Sequence, residues 1–388
     1  MKKIISLVLC IVMLCTMGTV ALAGYNPTTN TLSFNEDGKF KIVQFNDIQD
    51  TDKTNANTLE FMNAVLDAEN PDLVVLVGDQ LSDFFIGANK KKITTTLQNI
   101  CKPMSDRNIP FAVTFGNHDH DRASAVSLEE QAAIYKSING CINPDNGFGF
   151  GTFNLPIYAH DDDDVEFNIY MMDTNNKDSA GGYDGVHADQ VEWYKATSDA
   201  LKAENDGEVV PSLLFQHIPV KEIYMLLSEV EGSDVQDAVY STAAKKWYKI
   251  NEDMITSGVL GEAPCSEDIT KVTGQYEAWL AQGDIVGAFF AHDHVNNFVG
   301  TTNDGIVLGY NGGTGFRTYG RGSERSARVF ELTEGSAEYT HRELTYKGLL
   351  GKDADTKLND FFTPVILTTI LRLIYKVFGK LIAMFKAR

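Results

Sequence analysis

Cysteine is scarce in this 388-residue chain, and two of the five cysteines, Cys10 and Cys15, lie within the first 23 residues. The three that remain, Cys101, Cys141 and Cys265, allow one bridge at most, which excludes a disulfide-stapled scaffold. None belongs to a Cys-x-x-Cys pair, so a thiolate zinc site is excluded too. Basic residues are also short: 33 Lys and Arg stand against 53 Asp and Glu, for a formal charge of −20. The imbalance is uneven. Lys2 and Lys3 add +2 and residues 361–388 add +5, which leaves −27 on residues 24–360. A body that acidic offers no surface for nucleic acid phosphates, which require clustered Lys and Arg. No internal repeat is present.

The two ends read differently from the body. Lys2-Lys3, a charge-free apolar stretch from Ile4, and Ala21-Leu22-Ala23 before Gly24 have the three-part pattern of a secretory signal, so residues 1–23 are expected to be removed and the protein exported to the cell envelope or beyond. An uncleaved membrane anchor is the alternative. Leu9 and Leu14 precede Cys10 and Cys15 where a lipoprotein signal would want a small residue. After an expected linker at 347–360, residues 361–388 place Arg372, Lys376 and Lys380 on one helical stripe against apolar residues. Their longest charge-free run, eleven residues, is too short to span a bilayer. This segment reads as an amphipathic helix for an anionic membrane surface, or else as a helix packed on the body.

With 43% hydrophobic residues, the chain can build one large α/β domain or two average ones. Thr31 to Phe45 reads as a hairpin turning at Glu36-Asp37-Gly38. A helix capped by Asn57 and stopped at Asn70-Pro71 follows, then the apolar strand Leu73–Val77, a helix from Lys90 to Arg107, and the strand Phe111–Phe115. That alternation predicts a largely parallel sheet. Strands near 152–157 and 165–172 flank His160-Asp161-Asp162-Asp163-Asp164, a solvated turn or, less simply, a calcium loop. A helix over 188–204, a strand at 211–215, an irregular insertion over 231–270, a helix near 275–281 and the strand 284–290 come next. The remainder reads as antiparallel β-structure.

The chemistry lies where the strands stop. Their ends supply Asp47 and Gln49, Asp79, Asn117 and His118, His217, and His292 with His294; four of the eight histidines sit there. Polar residues beyond the carboxyl ends of parallel strands occupy the place where α/β proteins bind ligands. Any one ending reads equally as a turn or a cap. Together, carboxylates, imidazoles and a carboxamide at one sheet edge are what two adjacent divalent cations require.

The order Asp-x-Gln, Gly-Asp, Gly-Asn-His-Asp, His and His-x-His resembles the calcineurin-like metallophosphoesterase superfamily over roughly residues 40–332. His292 to Phe298 and the stretch from Gly309-Tyr310 to Arg328-Val329 further resemble a subgroup named with the purple acid phosphatases, including plant members labelled inactive. The resemblance implies an αββα sandwich of two mixed sheets within residues 24–346 and a binuclear centre that hydrolyses phosphoesters. By position, Asp47, Gln49, Asp79 and His294 would surround the first metal. Asp79, as bridge, with Asn117, His217 and His292 would surround the second. Metal-activated hydroxide would attack phosphorus while His118, oriented by Asp119, protonates the leaving group. The two ions would be Mn, Fe, Zn or Mg.

Three residues depart from the pattern. Gln49 stands where many members have histidine, which weakens the first site; Ser82 stands where purple enzymes supply a tyrosinate; Ala291 replaces a glycine. Weaker candidates for substrate contact are His120 and Arg122, on the loop after His118, and Arg317 and Arg321 beside the turn Gly312-Gly313-Thr314-Gly315. Each reads equally as an ordinary surface residue. A non-catalytic metal- or lipid-binding surface protein with a lapsed first site is the competing reading.

Overall fold

The computed structural model describes residues 24–354, except for 27, 82–88, 122–124, 146, 178–181, 233–234 and 266–272. In chain order the strands begin β1 (Tyr25–Asn26), β2 (Thr31–Ser33), β3 (Lys39–Phe45), β4 (Leu73–Val77), β5 (Phe111–Thr114), β6 (Phe153–Tyr158), β7 (Val165–Met172) and β8 (Ser212–Gln216). They continue as β9 (Leu227–Val230), β10 (Val239–Ser241), β11 (Lys246–Ile250), β12 (Ile255–Val259) and β13 (Ile285–Phe290). The last are β14 (Asn297–Thr301), β15 (Val307–Tyr310), β16 (Ser326–Thr333) and β17 (Tyr339–Thr345). Helices are α1 (Ala56–Glu69), α2 (Lys90–Ser105), α3 (Asn117–Asp121), α4 (Leu128–Lys136), α5 (Ala188–Glu204), α6 (Gln275–Gln282) and α7 (Tyr346–Leu350).

Two mixed sheets result. One has five strands in the order β17-β16-β3-β4-β5, and the other nine in the order β1-β2-β6-β7-β8-β13-β15-β14-β12. Period-two alternation sets the layers. Leu73, Val75 and Val77 of β4 join Phe215 of β8 and Phe289 of β13 in a core between the sheets, while Val74 and Leu76 point to the opposite face and pack with α1 and α2. The outer face of the larger sheet buries Leu214, Ala288 and Phe290 against Val191, Tyr194 and Trp279 of α5 and α6. The order of layers is helix, sheet, sheet, helix, as expected. Each fully buried Val, Leu or Phe contributes roughly 1.5–3 kcal/mol.

Strands β3, β4 and β5 are parallel to one another, as are β7, β8, β13 and β15. Their carboxyl ends meet at one rim of the sandwich, and the pairing of β13 with β15 corrects the wholly antiparallel reading of the C-terminal part.

Four other expectations change. The turn at 36–38 forms, with Gly38 N–H donating to Asn35 O at 2.8 Å, but it is not a hairpin: β2 pairs with β1 and β6 in the larger sheet, whereas β3 enters the smaller. Leu32, Phe34, Phe40 and Ile42 all bury in the inter-sheet core, so the turn carries the chain across it. Helix α1 is capped by Asn55, whose side chain accepts the Asn57 N–H at 2.9 Å; Asn57 already lies inside the helix. The 231–270 segment is strand-bearing: its β10 and β11 make a small antiparallel sheet with the preceding β9, and its β12 extends the large one. Finally, the segment expected as a linker from 347 begins as α7, whose Leu349 and Leu350 pack on the helix-side core. Residues 1–23 and 361–388 lie outside the described residues.

Candidate metal centre

Each parallel strand delivers its first polar residues to the shared rim, and the backbone turns sharply as it does so. The φ angle is +49° at Asp47, +41° at Gln49, +53° at Asp79 and +74° at His292. Such left-handed conformations cost on the order of 1–3 kcal/mol for non-glycine residues and persist only where the surroundings impose them. Two glycines give the side chains room. At Gly78 a Cβ would lie 2.5 Å from His217 Nδ1, and at Gly116 it would lie 2.3 Å from Asp79 Oδ1. The Gly-Asp and Gly-Asn pairs therefore serve close approach as well as turning.

Asp79 is central. Its Oδ2 lies 3.2 Å from His217 Nε2 and accepts from Gln49 Nε2 at 3.0 Å, and its Oδ1 accepts the His118 backbone N–H at 2.8 Å. On one side, Asn117 Oδ1 is 3.2 Å from His217 Nε2 and 2.9 Å from His292 Nδ1. Those two ring nitrogens are 3.3 Å apart. On the other side, Asp47 Oδ1 is 3.2 Å from His294 Nε2. Asp47 Oδ2 accepts from Asn46 Nδ2 at 2.6 Å and from the His292 N–H at 3.0 Å. Of the seven expected ligands, Asp47, Asp79, Asn117, His217, His292 and His294 come together at this rim through these contacts, and Gln49 joins them through Asp79.

The imidazoles are set for coordination. A carbonyl can only accept, so His217 Nδ1–H donates to Val77 O at 3.1 Å and His294 Nδ1–H donates to Tyr319 O at 2.8 Å. Each ring then presents Nε2 to the pocket, the arrangement found in metal-binding histidines. Burial works against charging His217, but the neighbouring Asp79 and Asp47 carboxylates outweigh it and raise its pKa to about 10. Burial, reinforced by the charge of His217, drives His292 down to about 3. Burial disfavours the charged form of Asp47 as well, yet His294 and His217 hold that carboxyl below its ordinary value. The same competition, with His217 and then His118 prevailing, lowers Asp79. Protons and metal ions compete for these same lone pairs.

The donor set fits a divalent cation. Ligand atoms of Asp79, His217 and His292 all lie within 4.8 Å of one another. Asp47 Oδ1, fully buried, faces His294 Nε2 at 3.2 Å without a well-aligned hydrogen bond among the described residues, and a cation shared by the two atoms would offset the cost of burying that charge.

Asp119 does not orient His118. Its carboxylate accepts the backbone N–H groups of Gln80 and Leu81, at 3.0 and 3.1 Å, and of Gly116 at 3.0 Å, pinning the β4 exit to the β5 exit. The imidazole is held instead by Asp121, whose Oδ2 is 3.2 Å from Nδ1. His120 Nε2 is 3.0 Å from Asp173 Oδ1, Arg317 Nε donates to Asp50 Oδ1 at 2.6 Å and Arg321 Nη1 donates to Glu343 Oε1 at 2.9 Å. All three expected substrate contacts are thus engaged with carboxylates. Arg122 and Ser82 lie outside the described residues. Positive φ falls on His292, not on Ala291, so the replaced glycine carries no strain. Sequence reasoning missed Asp121, although three-residue spacing on a helix predicts its meeting with His118. It also missed Tyr319, which no local pattern announces, and Tyr183, whose ring meets His292 edge-on at 4.5 Å.

A model of the calcineurin-like phosphoesterase family matches residues 40–296. The chain belongs to this family. Within the phosphoesterase match fall Asp47, Asp79, Asn117, His217, His292 and His294. Over 334 residues the chain is 28% identical to "Probable inactive purple acid phosphatase 29" of Arabidopsis thaliana, covering 77% of this chain and 78% of that protein. It is 27% identical to "Probable inactive purple acid phosphatase 14" of the same plant, covering 81% and 80%. It is also 27% identical to "Phosphatase DCR2" of Saccharomyces cerevisiae, covering 76% of this chain and 52% of that one. Among the described residues of this chain, no helix is long and apolar enough to cross a membrane.

Proposed function

We propose that the protein is an exported, metal-dependent phosphohydrolase. The observation that carries this reading is the convergence of Asp79, His217 and His292, with Asn117 against both imidazoles and Asp47 Oδ1 buried beside His294 Nε2. Asp79, Asn117, His217 and His292 would hold one divalent cation; Asp47, Gln49 and His294, sharing Asp79, would hold a second. Divalent cations bound there lower the pKa of water and neutralise charge on phosphoryl oxygens.

The chain's own residues do the rest. His118 stands at the edge of the pocket, its Nε2 3.9 Å from Asp79 Oδ2 and its side chain 26% exposed. Asp121 Oδ2, 3.2 Å from Nδ1, fixes the tilt of the ring and leaves Nε2 turned to the pocket, from where it would pass a proton to the departing ester oxygen. Asp119 keeps the loop in place through three backbone N–H groups. The Tyr183 ring meets His292 edge-on and bounds that side of the pocket. Export follows from the pattern of residues 1–23, and the basic stripe of residues 361–388 supports docking on an anionic membrane surface.

Metal analysis of the purified protein, combined with turnover of aryl phosphate mono- and diesters, tests the reading. Loading near two equivalents, with turnover lost in Asp79→Asn and His118→Ala, supports it; no turnover under Mn²⁺, Mg²⁺, Zn²⁺ or Fe²⁺ overturns it. A second reading, a non-catalytic binder with one working site, is favoured by the contact of Gln49 Nε2 with Asp79. That contact turns a donor toward the bridging carboxylate. Loading at one equivalent without turnover would establish it. For the tail, loss of binding to anionic vesicles on deleting residues 361–388 is expected.

A further inference from the structure

The residue expected to follow the export cut is packed against a carboxylate that makes no salt bridge among the described residues. Gly24 is buried, with φ of +98°, and its carbonyl accepts the Ser33 N–H at 3.0 Å. Its Cα sits so close to Asp72 that a Cβ there would lie 2.5 Å from Oδ1 and 2.7 Å from Cγ. Asp72, half-buried just before β4, takes one N–H on Oδ2, from the Lys41 backbone at 2.8 Å. The surrounding cations are committed elsewhere: Lys41 Nζ donates to Glu69 O at 3.0 Å, Lys39 Nζ donates to Thr333 Oγ1 at 2.8 Å, and Arg342 pairs with Glu69. Burial accordingly raises the Asp72 carboxyl to about 6, against the smaller opposing effect of Lys41.

Cutting the chain changes what Gly24 can offer. Hydrolysis of the Ala23–Gly24 bond by a signal peptidase consumes one water, giving a carboxyl on Ala23 and an amine on Gly24. That amine takes a further proton from solvent below its ordinary pKa of about 8. No longer tied to residue 23, the nitrogen can turn about Cα–C while the carbonyl stays bonded to Ser33. One tetrahedral step brings it to the direction a Cβ would take, against Oδ1. At that position it would also meet Asp72 Cγ at 2.7 Å and Cβ at 2.8 Å, so the Asp72 side chain must turn aside by a few tenths of an ångström to bring Oδ1 to the length of a charge-assisted contact.

We propose that removal of residues 1–23 creates an α-ammonium at Gly24 that pairs with the Asp72 carboxylate. The pair ties the N-terminal edge of the nine-stranded sheet to the start of β4 in the five-stranded one. The inference rests on the export reading for the cut, but the pair itself can be read independently of export.

Four proteins test it: the mature chain beginning at Gly24 and a chain that keeps Ala23 as its first residue, each with and without Asp72→Asn. Keeping Ala23 is expected to lower Tm by about 2–4 °C when Asp72 is present and to change nothing in the Asp72→Asn background. Equal Tm values for the two Asp72 proteins, or the same drop in both backgrounds, would overturn the proposal. Should Asp72→Asn fail to fold, titration of the Gly24 amine decides: a pKa above about 8 supports the pair, and an ordinary one refutes it. The intact mass of protein recovered from exporting cells keeps the two readings apart. Retention of residues 1–23 defeats export while leaving the thermal comparison to judge the pair. A cut at another bond defeats the proposal and leaves export standing.

Discussion

The imidazole of His294 lies flat on the ring of Tyr319, with centroids 4.2 Å apart and planes 5° from parallel, while its Nδ1–H donates to the carbonyl oxygen of that same tyrosine. The Tyr319 hydroxyl in turn donates to Glu262 Oε1 at 3.1 Å. One residue therefore fixes both the tautomer and the tilt of a proposed ligand. Partners that orient a ligand are worth about 10–100-fold in metal affinity; Tyr319→Ala keeps the backbone carbonyl but removes the stacked ring, and should lose part of that in a chelator competition assay. Tyr319→Phe keeps the ring as well, and should lose far less.

The two aspartates after His118 should separate by phenotype. Asp121→Asn removes the carboxylate that holds the His118 ring in place and should lower kcat on an aryl phosphate with little change in Tm. Asp119→Asn disturbs three backbone contacts and should show first as a lower Tm. His118→Ala should cost about 10²–10⁴-fold in kcat. A kcat for Asp121→Asn equal to that of the parent would show that the contact has no catalytic role.

Gly116 tests close approach without the complication of a positive φ. A methyl group there meets Asp79 Oδ1 at 2.3 Å, so Gly116→Ala must displace the central carboxylate or the strand exit. Overpacking of this kind costs typically about 1–3 kcal/mol. Urea denaturation should report that loss, and metal binding should weaken with it.

Gln49→His replaces a neutral carboxamide with an imidazole on the Asp47 side of the pocket. Imidazole suits zinc, iron and copper better than a carbonyl oxygen does. Zinc affinity should rise by an order of magnitude or so at one of the two sites, measured by isothermal titration, with the other unchanged. An increase at neither site would mean that residue 49 is not a ligand position.

Away from the site, His341 gives a pH signature. Burial and then the nearby Arg328 push its folded pKa down to about 4, below the ordinary 6.5. Between those values the unfolded chain binds the extra proton, so the contribution is whole above about pH 6.5 and shrinks as pH falls toward 4. Replacing His341 by Gln should flatten the dependence of urea stability on pH in that window.

Most of the metal pocket was legible because parallel strands deposit their next residues at a common rim, and apolar runs such as Leu73–Val77 mark where each strand stops. What escaped depends on partners distant in sequence. Leu32 and Phe40 face the same core, so alternation alone cannot reveal that their strands enter different sheets. Arg317 finds Asp50 across 267 positions, and a glycine-rich neighbourhood suggested phosphate instead. Asp121 was within reach: had Asn117–Asp121 been read as a helical turn, residue 118 would have been matched with 121 instead of 119.

The oxygen donors Asp47, Asp79 and Asn117 follow strands of the smaller sheet, and the nitrogen donors His217, His292 and His294 follow strands of the larger. The oxygen groups all lie in the first third of the chain and the three imidazoles all follow residue 216. The oxygens alone would make a setting for magnesium or calcium; any preference for a transition metal would come from the half of the rim built by the larger sheet.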